Sequence, residues 1–200
     1  MKKAAIGVLG GSFNPPHQGH RALVRHAARR LDLQGMRVLV TPQNPLKEAG
    51  DYAPLDKRIE ATKKMMRGLP NVQVAPEAEL GPVYAVDSIK RLIMRERGTP
   101  FVYILGADSF ANLHKWHRWR ELMHMLPIAV VSRPGYKGEA LHSAAGRAFS
   151  RCQLPERHAT ALAHQKAPAW CYIGGLSQPE SSSMIREEAD PSKSYFESAT

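Results

Sequence analysis

The chain has few cysteines and no long apolar segment. Cys152 and Cys171 are its two cysteines in 200 residues and form no CxxC pair, so the sequence predicts a reduced protein without a disulfide framework. No apolar run approaches the ~18 residues that a membrane span needs. The start, MKKAAIGVLGG, imitates a signal peptide, but SFNPPHQGH follows where a small-residue cleavage site would stand. We therefore expect a cytoplasmic protein with no membrane partner.

The patterns that mark nucleic-acid-binding proteins are also missing. The sequence contains no run of five lysines and arginines, no zinc-finger spacing and no aromatic RNP pattern. The net charge is nevertheless +10, and residues 1–70 hold 13 basic against 5 acidic side chains. This excess suits small anionic substrates, but charge alone leaves a non-catalytic nucleic-acid or polyanion binder open. We expect anionic substrates and no nucleic-acid partner, and the sequence leaves open a homo-oligomer.

Short apolar strands alternate with helical patterns along the chain. Strands are predicted at residues 4–9, 36–41, 71–75, 101–105, 128–132 and 170–173. Helices are predicted between them, at about residues 18–31, 55–67, 84–97, 107–125, 140–150 and 156–165. Apolar strands separated by helices indicate an α/β fold with a doubly wound, mainly parallel sheet. We expect one domain over residues 1–188, a flexible loop at 134–138 and a flexible tail at 189–200.

The segment GGSFNPPHQGH, residues 10–20, carries the strongest chemical signal. Gly10 and Gly11 allow the backbone to approach a ligand closely, and the two prolines exclude a helix before about Gln18. The helix that follows has His20 and no acid in its first turn. Because the N-terminus of a helix carries partial positive charge, a first turn without an acid predicts an anionic ligand there.

A similar helix start is predicted near the end of the chain. The sequence SSSMIR at residues 181–186 follows the short strand at 170–173 and combines N-capping serines with an arginine in the first turn. Arginine opposes the helix dipole at that position unless it faces an anion. Two such helix starts could clamp one polyphosphate.

Together these segments resemble a known family. GGSFNPPHQGH and SSSMIR resemble the two signatures of the HxGH nucleotidyltransferases. TPQNPLK at 41–47, PVYAVDS at 82–88 and FVYILGADSFANLHKWHRWREL at 101–122 look like the bacterial nicotinate mononucleotide adenylyltransferases in order and spacing. The similarity spans residues 4–187. The chain departs from the family pattern at four positions, Ala85, His117, Ser183 and Glu187.

The resemblance implies a Rossmann-like nucleotidyltransferase fold and the transfer of an adenylyl group from ATP to nicotinate mononucleotide, in NAD synthesis. It implies that the catalytic residues are His17, His20 and Arg186. It implies that ATP contacts Gly10, Gly11, Ser12, Phe13, His17, His20, Gly106, Asp108, Arg133, Ser182, Ser183, Met184 and Arg186. It implies that nicotinate mononucleotide contacts Asn44, Lys47, Tyr84, Ala85, Trp116 and His117, with an exposed Trp116 indole stacked on the pyridine ring. Since no acidic cluster forms a metal cage, Mg²⁺ is expected to arrive bound to ATP, with no metal ligands from the chain.

Some of these residues also admit ordinary structural interpretations. His17 and His20 form an HxxH that could bind zinc, although no third ligand stands at a suitable spacing. Asp108 could cap the helix that follows its strand, and Trp119 is expected to anchor the core. Phosphopantetheine adenylyltransferase is the alternative within the same class, although that family typically has a threonine at the position of His17.

Overall fold

The computed structural model describes residues 3–42, 53–80 and 84–176. In these ranges the strands are β1 (Ile6–Gly11), β2 (Gly35–Val40), β3 (Val72–Pro76), β4 (Phe101–Gly106), β5 (Ile128–Val131), β6 (Gln153–Leu154) and β7 (Trp170–Ile173). The α-helices are α1 (Gln18–Arg30), α2 (Leu55–Met66), α3 (Ala85–Arg95), α4 (Ala107–Ala111), α5 (Trp119–Met125), α6 (Lys137–Leu141) and α7 (Ala144–Ala148). Four 3₁₀ helices span Glu77–Leu80, Leu113–Lys115, Ser150–Cys152 and Glu156–His164.

The described strands form one sheet in the order β3-β2-β1-β4-β5-β7-β6. Every neighbouring pair is parallel. The strand order changes direction between β1 and β4, and in such sheets ligands bind beyond the carboxyl ends of the strands at this point. The predicted α/β, doubly wound parallel fold is confirmed.

Apolar side chains cover both faces of the sheet. Leu9 of β1 belongs to a buried cluster that includes residues of α1, whereas the preceding Val8 belongs to a second cluster that includes residues of α3, α4 and α5. β4 divides in the same way, with Ile104 in the first cluster and Tyr103 in the second. This alternation follows from the period of two along a strand. It explains why the strands are apolar almost throughout.

The helix predicted over residues 107–125 is wrong. α4 ends at Ala111, a 3₁₀ turn buries Leu113 completely, and α5 begins only at Trp119. Between them Arg118 has a φ of 52°, in the left-handed region. No glycine or proline marks this break in the sequence.

Other predicted elements also need correction. The helix predicted at 140–150 is two short helices, because α6 ends at Leu141 and Ser143 Oγ accepts the Gly146 N–H at 3.0 Å to cap α7. The segment at 156–165 is a 3₁₀ helix, the two-residue strand β6 was missed, and α6 begins inside the loop predicted at 134–138. The flexible tail predicted at 189–200 lies outside the described residues.

In the part of the chain that the structure describes, no helix is both long and apolar enough to cross a membrane.

Candidate active site

The strand ends at the switch point bring together most of the predicted ATP residues. Gly10 and Gly11 end β1, Gly106 ends β4, and Arg133 follows β5 by two residues. The Thr41 N–H donates to the Gly11 oxygen at 2.8 Å, so the segment after β2 leaves the sheet beside the glycine turn. The structure thus gathers a first group of predicted site residues at one edge: Gly10, Gly11, Ser12, Phe13, His17, His20, Gly106, Asp108 and Arg133.

The glycine turn is shaped by a buried aromatic ring. Phe13 has a φ of 46° and is 1% exposed. A Cβ on Gly11 would lie 3.2 Å from the Phe13 ring, so glycine lets the loop fold back on itself. The centroid of the same ring lies 4.7 Å from that of His20. Phe13 therefore supports the imidazole from the side of the core.

His20 is held as a neutral hydrogen-bond donor. Its Nδ1 accepts the backbone N–H of His17 at 3.3 Å, so a neutral ring carries its proton on Nε2. Burial, the neighbouring His17 and the Arg133 guanidinium hold the pKa of His20 well below its usual 6.5. The backbone contact forms half of a capping box in which the fourth residue is histidine instead of the usual glutamate. The fold thus selects the tautomer that presents Nε2–H.

His17 directly precedes the first residue of α1 and is buried. It is the N-cap residue, and its ring centroid lies 3.8 Å from that of His20. Burial, followed by the positive charge of Arg133, lowers the pKa of His17 from 6.5 to about 4. The first turn of α1 contains no acid, as predicted. Two neutral imidazoles and a nearby guanidinium therefore meet at the start of the helix.

We expect the free energy of unfolding to fall as the pH is lowered from 6.5 towards 4. In this window the unfolded His17 is protonated whereas the folded residue is not, so the unfolded state binds more protons. Urea unfolding at pH 7 and pH 5 measures the loss. The loss should be smaller in His17→Gln than in the wild type, and equal losses would contradict a neutral buried His17.

Asp108 faces Arg133 and does not cap α4. The N-cap of α4 is Gly106, and Asp108 Oδ1 lies 3.8 Å from Arg133 Nε. A Cβ on Gly106 would collide with Asp108 Oδ1 and would lie 3.4 Å from Arg133 Nε. The capping interpretation of Asp108 is therefore wrong, and glycine at 106 leaves room for this ion pair.

The predicted pyridine residues form a second group around the start of α3. Tyr84 is the N-cap residue of α3, directly before Ala85, and its ring centroid lies 4.3 Å from that of His117. Tyr84 and His117 are exposed, whereas Trp116 is half-buried and packs against the core. The expectation of an exposed Trp116 indole is therefore wrong. Trp119 also packs against the core, as predicted.

An ion pair joins the two segments that carry this second group. Arg118 donates from one guanidinium nitrogen to Asp87 Oδ1 at 3.2 Å and from Nε to Glu121 Oε2 at 2.8 Å. Asp87 belongs to the first turn of α3, and Arg118 precedes α5. The contact therefore holds the segment containing Trp116 and His117 against the start of α3.

Six predicted site residues lie outside the described part of the chain. They are Asn44, Lys47, Ser182, Ser183, Met184 and Arg186.

Sequence reasoning missed a buried arginine beneath the glycine turn. Arg58 is 1% exposed and donates to the backbone oxygens of Ser12, Thr41, Pro42 and Ala53 over 2.6 to 2.8 Å. It shares a helix face with Thr62 and Met66, which are also buried. The sequence alone gave no signal for its burial, because arginine is common on exposed helix faces. Arg58 joins the turn after β1, the segment after β2 and the start of α2.

Glu77 was also missed. It is 5% exposed and accepts a hydrogen bond from Thr41 Oγ1 at 2.7 Å. One acid after a strand gives no pattern to recognise, so the sequence alone offered no signal for it.

Among the described residues, no group of three or more histidine, cysteine, aspartate or glutamate side chains could hold a metal ion. The groups at the first site are an imidazole N–H and a guanidinium. These donors suit phosphate oxygens.

Comparison with known proteins shows the family to which the chain belongs. A model of the cytidylyltransferase-like family matches residues 8–188. A Rhizobium meliloti protein named "Probable nicotinate-nucleotide adenylyltransferase" is 42% identical over 183 residues, covering 91% of this chain and 97% of that protein. A Bradyrhizobium protein of the same name is 43% identical over 182 residues, covering 90% of this chain and 94% of that protein. The chain belongs to the nicotinate-nucleotide adenylyltransferase family.

The fold of this nicotinate-nucleotide adenylyltransferase family member also has a match among solved structures. It is similar to a Plasmodium falciparum nicotinic acid mononucleotide adenylyltransferase complexed with NaAD, with a TM-score of 0.67 and 15% identity. The match covers 92% of this chain and 83% of that one. At this identity the likeness concerns the fold, and it confirms the Rossmann-like nucleotidyltransferase architecture.

Proposed function

We propose that this chain transfers the adenylyl group of ATP to nicotinate mononucleotide, giving nicotinate adenine dinucleotide and pyrophosphate in NAD synthesis. The observation that carries the proposal is the pair of imidazoles of His17 and His20, with centroids 3.8 Å apart at the start of α1 and with Arg133 nearby. Family membership supports the reaction, because the relatives are named for it. We place the reaction in the cytoplasm, in a single nucleotidyltransferase domain over residues 1–188.

The reaction needs alignment and charge neutralisation more than a strong base. An oxygen of the mononucleotide phosphate attacks the α-phosphorus of ATP, and the bond from that phosphorus to the bridging oxygen of the β-phosphate breaks. Pyrophosphate leaves with the electron pair of that bond. Because the attacking phosphate is already a nucleophile, neither a covalent enzyme intermediate nor a deprotonated side chain is required.

In this proposal His20 donates Nε2–H to an oxygen of the α-phosphate, where charge develops in the transition state. His17 donates to a neighbouring phosphate oxygen, and Arg133 supplies the nearby positive charge. The backbone around Gly10, Gly11, Ser12 and Phe13 gives ATP close access to the sheet edge, and Gly106 and Asp108 border the same site. Arg186 and the backbone around Ser182, Ser183 and Met184 hold the β- and γ-phosphates.

ATP enters as its Mg²⁺ complex. The metal neutralises charge on the triphosphate when bound. The residues at the first site bind phosphate oxygens and orient the α-phosphorus.

The pyridine end of the mononucleotide lies at the start of α3 in this proposal. Trp116 stacks on the ring, backbone N–H groups near Ala85 and His117 receive its carboxylate, and Tyr84 lies against His117 at the edge of this group. Asn44 and Lys47 complete the mononucleotide site. An 11-residue helix such as α3 presents unpaired N–H groups and partial positive charge at its start, which favours a carboxylate.

We expect a clear preference for nicotinate over nicotinamide mononucleotide. A site that offers only donors leaves the amide nitrogen of nicotinamide facing another donor, which predicts discrimination of roughly tenfold to thousandfold in kcat/KM. Pyrophosphate release with ATP and each mononucleotide measures it. Trp116→Ala should lower kcat/KM for both mononucleotides through lost stacking, whereas Trp119→Phe, which keeps an aromatic ring against the core, should change both values little.

The same assay separates the alternatives. A nicotinamide preference or equal efficiencies would overturn the assigned substrate and leave adenylyl transfer standing, with His117 as a hydrogen-bond acceptor for the amide. Turnover with phosphopantetheine and none with either mononucleotide would indicate the alternative adenylyltransferase. If none of these substrates gave pyrophosphate release, the result would favour the non-catalytic nucleic-acid or polyanion binder.

A further inference from the structure

The buried carboxylate Glu77 joins two segments that belong to different parts of the proposed site. It lies in the 3₁₀ helix that follows β3 and accepts hydrogen bonds from Thr41 Oγ1, at 2.7 Å, and from the Ser88 hydroxyl. Thr41 directly follows β2, and Ser88 lies in the first turns of α3. The two hydroxyl contacts therefore join elements that are far apart along the chain, since Thr41 lies 36 residues before Glu77.

Thr41 and Ser88, the two partners of Glu77, contact residues at opposite ends of the proposed site. The Thr41 N–H donates to the oxygen of Gly11, in the glycine turn that borders the proposed phosphate site. On the other side, the Ser88 N–H donates to the oxygen of Tyr84 at 3.2 Å, and Ser88 Oγ lies 3.4 Å from the same oxygen. Glu77 thus connects the turn after β1 with the residues that begin α3.

Burying the carboxylate of Glu77 at this position is energetically unfavourable. Burial raises the pKa of Glu77, and burial followed by the negative charge of Glu77 raises the pKa of Tyr103. The Tyr103 hydroxyl lies 3.0 Å from where a Cβ on Gly10 would stand, so this cluster abuts the glycine turn. A buried ion pair can often be replaced as a whole by apolar residues without loss of stability, so a buried charge need not serve stability. The directed hydrogen bonds of Glu77 therefore provide orientation.

We infer that Glu77 is a positioning residue for the mononucleotide substrate, which it serves by fixing the start of α3 relative to the end of β2. The inference rests on the proposed function, in which the backbone N–H groups at the start of α3 receive the pyridine carboxylate. Glu77 acts through Thr41, Ser88 and Tyr84 and does not itself contact the substrate. ATP binds mainly through the turn after β1 and the distant second signature, so the orientation of α3 matters less to it.

The test compares Glu77→Ala, Glu77→Gln and the control Glu79→Gln by steady-state kinetics with each substrate varied in turn. Glu77→Ala should raise the KM for nicotinate mononucleotide about tenfold or more, because small displacements of binding groups are costly. The KM for ATP should stay within about twofold. Glu77→Gln should restore most of the loss, since its amide oxygen can accept from one hydroxyl and its N–H can donate to the other. Glu79 is exposed in the same 3₁₀ helix, so Glu79→Gln should change neither KM value.

A merely structural Glu77 would give a different pattern. Equal changes in both KM values, or no change in either, would overturn the inference, as would a Glu77→Gln variant as impaired as Glu77→Ala. Should Glu77→Ala fail to fold, Ser88→Ala removes one hydroxyl donor from a helix that tolerates alanine well, and the same selective rise in KM is expected. Wild-type enzyme without turnover would overturn the proposed function and this inference together. Wild-type turnover without the selective rise overturns this inference alone.

Discussion

Replacing His20 with alanine should lower turnover by about 100-fold to 1000-fold while leaving the fold intact, because a donor to the transition state is lost. The contact between the His17 N–H and Nδ1 leaves Nε2–H as the donor of a neutral ring. Alanine is a good helix former, so the substitution should leave α1 folded. Single-turnover rates with saturating ATP and nicotinate mononucleotide, together with a circular dichroism spectrum, measure both parts of this result.

Two further variants separate donation from the mere presence of an imidazole. His20→Gln places an amide N–H near the position of Nε2 and should recover part of the lost rate. His164→Ala removes an exposed histidine at the end of the last 3₁₀ helix and should leave turnover unchanged. A loss below about tenfold in a folded His20→Ala protein would show that His20 does not stabilise the transferring phosphorus.

Arg58→Met should reduce the free energy of unfolding by about 3 kcal/mol or more, because each buried carbonyl left without a donor costs about 1–3 kcal/mol. Four backbone oxygens accept from this guanidinium. Methionine keeps the length of the side chain and suits a helix, so the change isolates the lost donors. Since one of the acceptors is the oxygen of Ser12, turnover should fall along with stability.

Urea unfolding of Arg58→Met beside Lys57→Met tests this expectation. Lys57 is the preceding residue of the same helix and is exposed, so its replacement should change the free energy of unfolding by less than about 0.5 kcal/mol. Similar values for the two variants would show that the backbone oxygens around Arg58 find other donors.

The elements that could be predicted from the sequence are those with a local cause. The strands show as apolar runs, and α1 begins at Gln18 as expected because the two prolines exclude a helix before it. The break between α4 and α5 could not be predicted, since Arg118 takes a left-handed conformation that the sequence would assign to glycine. The 3₁₀ form of Glu156–His164 has no distinct pattern either.

The candidate site also contains residues that could be predicted from the sequence and residues that could not. His17 and His20 were recognisable because a helix start without an acid is a local anomaly. The positioning roles of Arg58 and Glu77 depend on groups far away in sequence, such as the oxygen of Ser12 and the hydroxyl of Thr41. Their residue types are common on exposed helix faces, so only the fold reveals that they are buried.

The strand order has a consequence for how the chain folds as it leaves the ribosome. β1 is made first but lies in the interior of the sheet, where Ile6–Leu9 pairs with Phe101–Ile104 on one side and β2 covers the other. The nascent chain can pair β1, β2 and β3 early, but one edge of β1 stays open until β4 has been synthesised. An open apolar strand edge can pair with other chains, so we expect the nascent chain to be most prone to mispairing in this interval.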